Sequence, residues 1–134
     1  MLTRTLLAVL LLLSSQIQAL EYPVEIIEYI DNVRVVAFVK ESDIDKSPKW
    51  DPPSEPPLSI ANAIDAVQRY IAPSSINNEN LIGIELKQIP RHKHYWHYIV
   101  KNKMLTDEKP VIHYYVVLMN GKVIPAIKEP ESVK

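Results

Sequence analysis

The sequence contains no cysteine and only two glycines. Without Cys there is no disulfide scaffold, no thiolate zinc site, no cysteine nucleophile and no lipid-bearing N-terminal cysteine. Gly83 and Gly121 alone are too few for a P-loop or a GxGxxG phosphate turn. Excess charge of one sign is missing too: 15 Lys and Arg stand against 16 Asp and Glu, a net charge of −1. Phosphate binding needs clustered positive charge, so this balance argues against a nucleic-acid partner. What is present is an ordinary globular composition with 47% hydrophobic residues.

Residues 1–19 read as an address rather than as part of the fold. Arg4 supplies a positive start, and Leu6 to Leu13 is apolar but too short to span a bilayer. Ile17-Gln18-Ala19 fits a signal peptidase site, so the mature chain is expected to begin near Leu20 and to keep no membrane anchor. Its 115 residues bury enough surface for one core without disulfides, which suits a periplasmic or secreted protein. Residues 20–134 are therefore read as a single domain.

Along that domain, residues 24–41 alternate in the manner of strands, as one hairpin or one long bent strand around Asp31-Asn32. Residues 42–57 hold five Pro and alternating charges, and predict an extended, polyproline-like connection. Ser59 then precedes a helix over residues 60–72. Ile60, Ala63, Ile64, Val67 and Ile71 form its apolar stripe, and Pro73 stops it. Strands follow at 81–90, 94–101 and 111–119. Asn120-Gly121 signals a hairpin into KVIPAI, whose Pro125 predicts an edge strand. The expected class is α+β, with one helix packed on an antiparallel sheet of four to five strands.

From Leu58 to Ile124 this order resembles the PepSY-like domains of bacterial exported proteins. The residues that carry the likeness are the Ala-containing helix, the aromatic strand Tyr95-Trp96-His97-Tyr98-Ile99-Val100, and the closing hairpin from Val116 to Ile124 with Gly121 in its turn. Where such domains carry an Asp shortly before the turn Gly, this chain has Leu118, Met119 and Asn120. The resemblance implies binding or inhibition in the cell envelope, with no shared catalytic residue. The cystatin arrangement also sets one helix on an antiparallel sheet, but its Gln-x-Val-x-Gly loop is not found here.

Two sets of residues are candidates for a site. Trp50, Tyr95, Trp96, Tyr98, Tyr114 and Tyr115 concentrate aromatic surface in the Pro-rich connection and on two strands. Such rings either stabilise the sheet as cross-strand pairs or offer a partner-binding face. His92 and His94 are two apart, and on a strand they share a face. His113 would complete a metal set if the strands paired in the required register. The bland alternative is solvent-facing histidines. No Ser sits in a Gly-flanked elbow, and Asp43 and Asp45 fall in the polar connection, so no catalytic residue and no cofactor are expected. The leading reading is a non-enzymatic exported module that binds a protein or peptide through the sheet or its edge. The others are a small metal-binding periplasmic protein and an inhibitor of an envelope peptidase.

Overall fold

A computed structural model describes residues 22–73 and 79–129. The leader expected at residues 1–19, and its cleavage point, lie outside the described residues. Strand β1 (Pro23–Ile30) turns back into β2 (Val33–Lys40). Asp31 and Asn32 between them take φ of 51° and 64°, both in the left-handed region, which gives a two-residue turn whose twist matches that of the flanking strands. The Asx side chains tolerate that backbone where β-branched neighbours would not.

The connection after β2 departs from the sequence expectation. Residues Glu41–Lys46 form a short helix, α1, before the Pro-rich stretch begins. Six residues show no helical period, and the residue before the helix, Lys40, makes no side-chain cap, so nothing local announces it. What fixes it is tertiary: Ile44 is fully buried, and Asp43 accepts from Lys122 Nζ at 2.6 Å. Helix α2 (Ile60–Ile71) is as expected: Asn62 N donates to the Ser59 Oγ at 3.0 Å, and Ala63 and Val67 are buried. Strands β3 (Glu79–Gln88), β4 (Trp96–Met104), β5 (Val111–Leu118) and β6 (Val123–Lys128) then form a meander. At the β5–β6 turn only Gly121 takes positive φ, at 88°. Leu118 N donates to Lys122 O, which closes a three-residue loop of Met119, Asn120 and Gly121.

All six strands form one antiparallel sheet in the order β1-β2-β6-β5-β4-β3, curled into a half-barrel. This corrects the expected class: among the described residues the protein is mainly sheet, with 17% helix in two short helices, rather than one helix on four to five strands. It also corrects the place of β6, which lies in the middle of the sheet despite Pro125. The β2–β6 ladder is confined to Val35↔Lys128 and Val36↔Ile127, downstream of the proline, so the missing N–H falls before that pairing starts.

Each face of the sheet has its own core. Inside the curve, Ile26, Ile30, Val35, Ala37, Val39, Ile99, Tyr114, Val116 and Leu118 pack with Ile44 of α1 and Ile89. On the outer face Ala63 and Val67 of α2 cover Tyr98, Val100, Tyr115, Val117 and Met119. β4 and β5 are therefore buried on both sides through residues 97–100 and 114–118. The two free edges, β1 and β3, approach one another without strand pairing. Long side chains span the gap: Lys87 Nζ donates to Glu28 Oε2 at 2.7 Å, and Lys101 reaches Asp31. Lys101 lies directly opposite Gly83, and the missing side chain at 83 leaves its path over β3 open.

Candidate functional site

The aromatic residues singled out by the sequence are internal. Tyr98, Tyr114 and Tyr115 are buried, and Trp50, Tyr95 and Trp96 are half-buried. Trp50 stands edge-on to Trp96 at 5.0 Å between centroids, and its indole N–H donates to Ser54 O. It pins the Pro-rich connection to the sheet. The Tyr98 hydroxyl donates to Leu58 O at 2.6 Å, which fixes the approach to α2. Lys49 lies over the Tyr95 ring at 5.8 Å. Alternation along one strand separates two faces but does not reveal that both are covered.

The histidines do not converge. His92 and His94 lie in the turn between β3 and β4, whereas His113 pairs with Asn102 near the opposite end of β4. His92 Nδ1 donates to Pro90 O and its Nε2 to Glu41 Oε1, both at 2.8 Å. The Pro90 carbonyl, and after it the Glu41 carboxylate, hold the imidazolium against the opposing effect of burial and raise its pKa. His94 Nδ1 pairs with Asp51 Oδ1 at 2.5 Å. Each of the two ties the turn to the connection beneath it. Among the described residues no three His, Cys, Asp or Glu side chains group as metal ligands.

His113 belongs to a different cluster. Its Nδ1 donates to Glu79 Oε1 at 2.5 Å, Asn102 Nδ2 donates to Oε2 at 3.2 Å, and the Tyr115 hydroxyl reaches both oxygens at 2.9–3.0 Å. Burial pushes the Glu79 carboxyl up, but the bonds from His113, Asn102 and Tyr115 outweigh it and hold it below the usual range. The same arrangement, with burial first, pushes the Tyr115 hydroxyl well above its ordinary value. A cavity of about 220 Å³ lies alongside, walled by Ile64, Val67, Ile71, Leu81 and Val100. Both Glu79 oxygens already accept from donors of the sheet, so this carboxylate, which also lines the cavity, clamps the start of β3.

Of the two free edges, that of β3 carries hollows on both faces. No strand among the described residues pairs with its far side. On its outer face a groove of about 450 Å³ runs between β3 and the start of α2, lined by Pro56, Ile60, Ala61, Ile84, Leu86 and Tyr98. Ile60 is 55% exposed in it although it heads the apolar stripe of its helix. On the inner face a hollow of about 210 Å³ opens at the gap toward β1, lined by Ile30, Asp31, Ile82, Gly83, Glu85 and Lys101. Ile82 sits at a register shift between Leu81 and Gly83 and is 47% exposed. Sequence reasoning missed Ile60 and Ile82, because an apolar residue at helix or strand spacing reads as core.

One buried group stands apart. His97 faces the inside of the curve opposite Lys87, is 0% exposed, and neither ring nitrogen has a partner. Burial first, then the Lys87 charge, push it down to about 4. No family model, no curated protein and no solved structure matches the chain.

Proposed function

We propose that this protein is a non-enzymatic interaction module of the cell envelope, exported by its first 19 residues, that binds an extended segment of a partner protein along β3. One observation carries the reading: an unpaired strand edge with a side-chain hollow on each of its faces. An extended segment that adds to an edge gains main-chain hydrogen bonds, and its side chains alternate between the two faces. Here one set enters the groove at Ile60, Ile84 and Leu86, and the other meets Ile82 and Ile30. Exposed edges are usually blunted by charge or proline, and at Ile82 this one is apolar instead.

The test is selection of a random-peptide library on residues 20–134. Selected peptides are expected to protect the β3 amides from exchange. They are expected to lose at least about tenfold in affinity on Ile82→Lys, which charges the edge, and on Ile60→Asp, which fouls the groove. Peptides that protect another strand, or that ignore both substitutions, overturn the reading.

A further inference from the structure

We propose that His97 is a proton-operated release for the β3 edge: charging its ring inside the half-barrel breaks the Lys87–Glu28 bridge, and β3, no longer braced against β1, frays from β4, its ladder partner. The purpose assigned to this release rests on the strand-addition reading, but its physics does not.

Three observations converge. The imidazole is completely buried, and in its neutral form one N–H and one lone pair both lack partners, a state that native cores rarely tolerate without a reason. It lies directly opposite Lys87 in the β3–β4 ladder. The Lys87 ammonium in turn is the atom that crosses the gap to Glu28. A charge on the ring thus appears one residue from the bridge that ties the two edges together. The other titratable and charged groups with access to this interior are few. β3 contributes Glu85, which also contacts Lys87, at 3.4 Å. β1 contributes Glu28, already bound to Lys87. β4 contributes Lys101, held by Asp31 at the far end of the gap. β5 contributes the buried Tyr114. The inward residues of β2 are Val35, Ala37 and Val39, β6 contributes Lys128 opposite Val35, and α1 contributes Ile44, its Asp43 being turned to Lys122 and its Glu41 to His92. No unengaged carboxylate among these faces His97 to neutralise its charge. Opening the gap does so, by bringing both cations to water.

The sign follows from burial. With β3 lifted, the ring titrates near its ordinary 6.5, whereas in the closed sheet it resists protonation until about 4. Above 6.5 the closed form is unaffected. Between 6.5 and about 4 the open form binds a proton that the closed form does not. The opening constant then grows by up to about tenfold per pH unit, roughly 100-fold across the window, and His97 adds little further below it.

The experiment is amide exchange of residues 82–88 and 114–118 in the protein without any peptide, from neutral pH to about 4, each rate divided by its intrinsic rate. Protection of 82–88 is expected to fall by roughly 100-fold while that of 114–118 falls far less. His97→Phe, close in volume and unable to titrate, is expected to flatten the response of 82–88. Proton NMR of the His97 ring in the unsubstituted protein provides a readout that needs no variant: its midpoint is expected at least about one unit below 6.5, with β3 protection already falling above that midpoint. A midpoint at 6.5, flat protection of β3, or an acid response kept in His97→Phe overturns the proposal. Peptide binding at neutral pH fails or succeeds independently, so the two readings fall separately.

Discussion

Two side chains show how single residues set this fold. Ser59 accepts from Asn62 N and so satisfies one of the free N–H groups at the start of α2. Ser59→Ala is expected to lower stability by about 1 kcal/mol in urea titration, and Ser59→Asp to leave it nearly unchanged. Glu79, with its side chain 5% exposed, accepts from three donors. Its truncation to Ala is expected to cost about 2 kcal/mol, because it removes charge-assisted bonds and strands their buried donors. Its pH dependence has a fixed sign. A carboxyl held low in the fold lends stability that is full above its ordinary value near 4.5 and fades as pH falls through its lower native value. The stability gap between the unsubstituted protein and Glu79→Gln should therefore narrow below about pH 4.5, and a gap independent of pH would contradict the clamp.

At the scale of elements, α2 stays on the sheet through Ala63 and Val67, not through its exposed face. Val67→Asp places a carboxylate against Tyr98 and Val117 and is expected to unfold the domain. Asp65→Ala removes only the exposed pair with Arg69 and is expected to cost no more than about 0.5 kcal/mol by the same titration. This helix was legible in the sequence because its cap and its three- and four-residue spacing are local. The β5–β6 turn was legible for the same reason, whereas the β1–β2 turn was legible only as one of two alternatives, a hairpin or one long bent strand. Helix α1 was not, since Ile44 declares itself only by what it touches. The place of β6 was not, because two residue pairs with β2, nearly a hundred positions away, decide it. The burial of the aromatic set was not legible for a related reason. Residues 97–100 and 114–118 form unbroken buried runs, the mark of a strand covered on both faces, yet Tyr98, Tyr114 and Tyr115 within them read equally as cross-strand pairs or as a partner-binding face. His97 gave no signal at all, since a histidine beside aromatics looks like any surface histidine.

The whole molecule is a curled sheet whose ends are joined by side chains instead of by a ladder. That junction is weak by design of its chemistry: Lys87 and Glu28 are partly exposed, at 33% and 17%. A double-mutant cycle with Lys87→Met and Glu28→Gln is expected to give a coupling of about 0.5–1 kcal/mol, falling with added salt. A coupling near zero would show that the gap is held by packing alone.

The central position of β6 bears on how the chain is made. During synthesis the β1–β2 hairpin emerges first, yet its neighbour in the sheet is the most distal of the described strands. A hairpin alone is marginal in water. It must wait, apolar on its inner face, through roughly 80 further residues before Val35 and Val36 meet Lys128 and Ile127. At ordinary elongation rates that delay is on the order of 4–16 s. Truncations before Val123 are therefore expected to collect as aggregates instead of as a smaller folded unit.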